Sequence, residues 1–151
     1  MINVIGIDPD LKKCGVVEYS DRGFIIESYK KYTTAMILED VPVWINKGYV
    51  FAIEDVNAIK TIYAKHRHAT KAVQSRIAQN VGMVKATGTM IIDYIEHHGG
   101  KLILVPPGVG KQTRKNAELF NQITGYTGRT NEDTRDAYWI AKHGYEVLKN
   151  G

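Results

Sequence analysis

The chain has 151 residues, of which 44% are hydrophobic and 24% charged, the profile of one globular domain spanning 1–151 rather than a disordered tail. The one cysteine, Cys14, excludes an internal disulfide and a cysteine-built zinc cage, which fits a reducing compartment. No leader pattern and no apolar run near the ~18 residues of a membrane span is visible, so a soluble intracellular protein without a membrane partner is expected.

Ile2 to Asp8, INVIGID, is a short apolar run stopped at Asp8-Pro9 and reads as a buried strand. KCGVVEYS and FIIESYK follow on either side of Ser20-Asp21-Arg22-Gly23, a hairpin signal, so three antiparallel strands open the chain. The spacing of Met36, Ile37, Val41, Trp44 and Ile45 predicts a helix over 34–47 stopped by Gly48, with Pro42 calling for a restart near Asp40. YVFAIED, Tyr49 to Asp55, is a nearly all-apolar strand that ends in acid. From Thr70 to His98, Ile77, Val81, Val84, Gly88, Ile91 and Ile95 recur at alternating spacings of four and three, which predicts a long helix with a coiled-coil-like seam. That seam suits a dimer interface and packing on the sheet equally well. KLILV is a fifth strand, followed by PPGVG, a helix over 111–124, the loop GYTGRT and a final helix. Strand-helix-strand returns are right-handed and parallel, so the expected fold is α/β: a mixed five-stranded sheet, three antiparallel strands then two parallel, flanked by helices.

The final helix opens its inward stripe with acid, since Asp133 and Asp136 share a face with Ala137, Ile140, Ala141 and Gly144. Asp8 and Glu54 end strands that become parallel neighbours in this topology, with side-chain alternation turning both to one face about 5 Å apart. Ligands bind outside the carboxyl ends of such strands. Four carboxylates in one cleft repel strongly unless cations neutralise them, and hard oxygen donors select magnesium, with manganese as substitute. Two ions about 4 Å apart activate a water and stabilise the leaving oxygen of a phosphodiester. Asp8, Glu54, Asp133 and Asp136 are therefore the candidate catalytic and metal-binding residues. Two of them have a plainer alternative, Asp8 as a turn former before Pro9 and Asp133 as partner of Thr130 in a capping box, whereas an acid ending the apolar strand at Glu54 and one set deeper on the stripe at Asp136 need a reason.

The net charge of +4 points to a polyanion only if the cations cluster, and they do. Lys60, Lys65, Arg67, Lys71 and Arg76 fall in a stretch with no acid, and Lys111, Arg114 and Lys115 form a second group. Both are candidate phosphate contacts on DNA, with affinity that weakens steeply in salt. The plain reading of either is a solvated face.

The motifs IGIDPD, FAIED and DTRDAYWIA, in this order and spacing and spread over the whole chain, resemble the RuvC family of Holliday junction resolvases within the ribonuclease H-like superfamily. The resemblance implies a ribonuclease H-like nuclease domain. It also implies a homodimer that binds four-way DNA junctions and nicks two opposing strands, leaving 5′-phosphate and 3′-hydroxyl ends, with two magnesium ions held by Asp8, Glu54, Asp133 and Asp136. There are departures. Asp10 stands where bacterial members carry glycine, and Asn57 stands where they carry an aromatic, with Tyr63 the nearest aromatic for a stacking role. The Gly-rich, Lys-containing stretch before the last acidic motif is poorly reproduced. Such a chain is expected to be a divergent member, viral or phage-encoded, acting in the cytoplasm of a bacterial or phage-infected cell.

VPPGVGKQT imitates a phosphate-binding P-loop, but Val105 and Gln112 occupy positions that need glycine and Ser/Thr, so no nucleotide cofactor is expected. His143 follows Asp136 by two turns and reads as a packed side chain before a proton carrier. Two rival functions stay open: another ribonuclease H-like nuclease acting on forks, flaps or RNA–DNA hybrids, and a non-catalytic DNA-binding module.

Overall fold

The computed structural model describes residues 1–10, 12–27, 32–58 and 68–151. Lys60, Tyr63, Lys65 and Arg67 lie outside them. Five strands, β1 (Asn3–Asp8), β2 (Gly15–Ser20), β3 (Gly23–Glu27), β4 (Val50–Glu54) and β5 (Leu102–Val105), form one sheet in the order β3-β2-β1-β4-β5. β1-β2 and β2-β3 are antiparallel, whereas β1-β4 and β4-β5 are parallel. The helices are α1 (Thr34–Asn46), α2 (Lys71–His97), α3 (Ala117–Thr124) and α4 (Glu132–Asn150), with short 3-10 turns at Val56–Ala58 and Lys111–Thr113. No helix among the described residues is long and apolar enough to cross a membrane.

Alternation along the central strands sorts their side chains onto two cores. Ile5, Ile7, Val16, Phe51 and Ile53 pack with Ile37, Val41 and Trp44 of α1 and Ile91 and Ile95 of α2. Val4, Val17, Ala52 and Val105 pack with Phe120 of α3 and Ala137, Tyr138, Ile140 and Ala141 of α4. Strands covered on both faces need apolar side chains at every position, which is why β1 and β4 read as continuous apolar runs. Even-numbered residues of β1 and β4 face α4, and Asp8 and Glu54 belong to that set.

Two glycines let α4 lie unusually low. A Cβ on Gly6 would come within 2.5 Å of both the Ala137 carbonyl oxygen and the Ala141 Cβ. A Cβ on Gly15, the partner of Asp8 in the β1-β2 ladder, would fall on the Asp133 carbonyl. Absence of side chains there lets helix backbone touch strand backbone and seats the first turn of α4 beside the end of β1.

Several expectations are corrected. The helix over 111–124 is split: a 3-10 turn ends at Thr113, and α3 starts afresh after Asn116, whose side chain accepts from the Leu119 N–H at 2.9 Å. α1 runs unbroken through Pro42, without the restart near Asp40. The seam of α2 is buried only at Gly88, Ile91 and Ile95, so its N-terminal half stands away from the sheet. The cap of α4 uses Asn131 and Thr134 reciprocally, and Thr130 instead accepts a hydrogen bond from Arg135, so Asp133 is not the capping partner.

Candidate active site

In the β1-β4 ladder Ile7 pairs with Ile53, so Asp8 and Glu54 stand one step further on, side by side at the carboxyl edge. α4 crosses over that edge. Asp8, Glu54 and Asp136 line one cleft of about 180 Å³ together with Arg114, Lys111, Ile140 and the loop Pro106-Pro107-Gly108-Val109. The Asp133 carboxyl hydrogen-bonds to Asp10 and Asp8 at the same end of α4. All four carboxylates expected from the sequence thus meet at one sheet edge. Lys71 and Arg76 are exposed on the first turns of α2, and Lys115 is exposed beside Arg114 at the mouth of the cleft. His143 is half-buried on α4 and does not line the cleft.

The electrostatics match the crowding. Burial raises the Asp8 carboxyl well above the usual range, and the neighbouring Asp136, Asp133 and Glu54 charges raise it further, with Arg114 only partly opposing. Burial raises Glu54 too, against the pull of Arg114 and a hydrogen bond from the Gly108 backbone. Asp133 is pushed up to about 6 by burial and by Asp10. Asp136 is also pushed up to about 6, by burial and by Glu54 and Glu132, while Arg114 and Arg135 hold it back. Burial makes each of these carboxylates costly, and neighbouring like charges add to the cost at Asp8, Asp133 and Asp136.

Two arginines flank this group, Arg135, which no sequence pattern marks, and Arg114. Arg135, between Asp133 and Asp136 in the chain, is buried and turns away from the acids. Its Nε donates to the carbonyls of Thr113 and Arg114, both at 3.1 Å, its Nη2 to the Arg114 carbonyl at 2.8 Å, and its Nη1 to Thr130 Oγ1 at 2.8 Å. The Trp139 indole N–H donates to Thr113 Oγ1 at 2.7 Å. These bonds fasten the loop after β5 onto α4. Arg114, counted from the sequence among the phosphate contacts, reaches into the acids: Nε lies 3.4 Å from Asp136 Oδ2 and 3.7 Å from Glu132 Oε2.

The donor set is all carboxylate oxygen: Asp8, Glu54 and Asp136 border a cleft with room for several water-sized species at roughly 30 Å³ each, and Asp133 stands beside it, one helix turn before Asp136. Such donors suit a hard divalent cation that keeps part of its water shell. Among the described residues, no three of these side chains close on a single point. Arg114 supplies positive charge at this place.

The sheet order, the parallel β1-β4-β5 half and the helical layers define a ribonuclease H-like fold. Among solved structures, T. thermophilus RuvC in complex with a Holliday junction substrate shares it, with a TM-score of 0.58 over 99% of this chain and 96% of that one, at 15% sequence identity. No family model matches the sequence. No curated protein matches it either.

Proposed function

We propose that the chain is a divalent-metal-dependent endonuclease acting on branched DNA, with four-way junctions as its substrate. The observation that supports it most is Asp8, buried at the end of the central strand and electrostatically crowded by Glu54, Asp133 and Asp136. On this reading those four carboxylates hold two magnesium ions, with manganese as substitute. The ions would supply a nucleophilic water at neutral pH and neutralise charge on the leaving oxygen. The protein's own part is positional. β1 and β4 fix two donors rigidly, α4 carries the other two, and the clamped loop sets the cleft's far wall.

The cations around the mouth suit a phosphate backbone. Lys111 lines the cleft, Lys115 stands next to it beside Arg114, and Lys71 and Arg76 are exposed on the first turns of α2. Two nicks in opposing strands require two sites, and a homodimer would supply them. Val73 at the start of the α2 seam is 40% exposed and Ile77, Val81 and Val84 beyond it are only half-buried, which is in keeping with a second copy docking on that part of the helix.

Cleavage of synthetic four-way junction, fork, flap, RNA–DNA hybrid and linear duplex, each with magnesium, calcium or chelator, tests the reading. Symmetrical nicks in the junction with magnesium, and binding without turnover in calcium, are expected. Preference for hybrid or flap over junction would reassign the substrate. Binding without cleavage of any of them would leave a DNA-binding module.

A further inference from the structure

We infer that Arg114 is the built-in counter-ion of the carboxylate cleft, a positioning residue that competes with the divalent cation for Asp136 and is released toward the DNA phosphate when the cation takes its place. This rests on the metal-binding reading above and adds to it a residue that sets the occupancy of the cleft.

Three observations carry the inference. The first is placement: the Arg114 Nε is 3.4 Å from Asp136 Oδ2 and 3.7 Å from Glu132 Oε2, and Arg114 lines the same cleft as Asp8 and Glu54. A guanidinium there occupies coordination space that a cation bound to Asp136 needs. The second is how it is held. The Arg114 carbonyl accepts from both Nε and Nη2 of buried Arg135, the residue just before Asp136. The main chain of the cation and the main chain of the acid are thus locked together, while the Arg114 side chain beyond that anchor is not. The third is exposure: the Arg114 side chain is 52% exposed, whereas that of Asp136 is 14% exposed. The acid stays in the cleft, and the arginine can leave it at small desolvation cost. On leaving it remains beside Lys111, Gln112 and Lys115, which with Asn116 and Glu132 line a polar recess whose net charge is positive. A cation there suits a non-bridging phosphate oxygen.

The test uses the full chain without DNA and titrates Mn2+ against wild type, Arg114→Gln and Arg114→Lys, reading the free-ion signal by electron paramagnetic resonance. Circular dichroism verifies that each variant is folded. Arg114→Gln should bind Mn2+ at a midpoint about 2- to 5-fold lower than wild type, the scale of removing one half-exposed ion pair. Arg114→Lys, which keeps the charge, should stay near the wild-type midpoint. A residue that merely braced the loop would weaken Mn2+ binding when replaced. An Arg114→Gln midpoint equal to or higher than wild type, with wild type binding Mn2+, overturns the inference and leaves the metal reading standing. Absence of Mn2+ binding by every variant overturns the metal reading and this inference with it.

Discussion

Without metal, the protein should become more stable as the solution is made mildly acidic. Asp133 and Asp136 are each pushed up to about 6 in the folded chain, against about 3.9 for an unfolded aspartate. The folded state therefore binds extra protons between about pH 4 and pH 6, and the penalty of charging these groups, complete above about pH 7, is relieved as pH falls through the folded value. A shift of about two units corresponds to about 3 kcal/mol per group at full strength. Asp133 is half-buried and Asp136, with its side chain 14% exposed, borders a water-accessible cleft, so solvent screening reduces this to about 1–2 kcal/mol each. Relieving one also relieves part of the repulsion on the other, so the pair contributes about 2–3 kcal/mol. Roughly half of that proton uptake lies above about pH 5, so for a chain of this size the expected rise in Tm between about pH 7.5 and pH 5 is about 2–6 °C. The assay is thermal unfolding in chelator at low ionic strength, followed by circular dichroism. Asp136→Asn should raise Tm at about pH 7.5 by roughly half that amount and flatten the profile. A wild-type Tm that is level or falls toward pH 5, or an Asp136→Asn profile superimposable on wild type, would refute the account of a crowded, desolvated carboxylate group.

Other consequences are independent of titration. Gly6→Ala would put a methyl 2.5 Å from the Ala137 carbonyl and the Ala141 Cβ; overpacking of this kind costs about 1–3 kcal/mol, read as a lower urea midpoint at unchanged m. Arg135→Met removes the donors that hold the Thr113 and Arg114 carbonyls. The loss should be about 2–4 kcal/mol, with hydrogen exchange accelerated over residues 110–116 before the rest of the chain. Lys115→Ala should weaken junction binding uniformly across sequences and lower the slope of log K against log salt by about 1. An unchanged slope would remove Lys115 from the interface.

Most of the fold is legible in the sequence because the signals are local. Each strand is an apolar run ended by acid, proline or glycine, and β1 and β4 carry their acids at the end where parallel pairing brings them together. The acid-led stripe of α4 is likewise visible, since Asp133 and Asp136 stand at helical spacing from Ala137 and Ile140. What is not legible depends on distant pairs. Arg114 and Asp136 are partners only because Arg135 and Trp139 draw the loop after β5 onto α4, and no local pattern marks that. The PPGVG segment resembles a failed P-loop on its own, yet folded it is the wall from which the Gly108 backbone hydrogen-bonds to Glu54. The helix break at Asn116 carries a local signal, an N-cap residue followed by Ala-Glu-Leu, which a helix read straight through from Lys111 passes over. The outer half of the α2 seam has the spacing of a buried stripe without a partner in the described chain, because periodicity records that a face is apolar and not what covers it.

The most direct test of the account is where a divalent ion sits. Crystals of the full chain grown with Mn2+, with diffraction recorded at the manganese absorption edge, should show anomalous density between Asp8, Glu54 and the Asp133–Asp136 turn. The Arg114 side chain should be displaced toward Lys111 and Lys115. Manganese bound elsewhere on the surface, with Arg114 still paired to Asp136 at saturating ion, would contradict it.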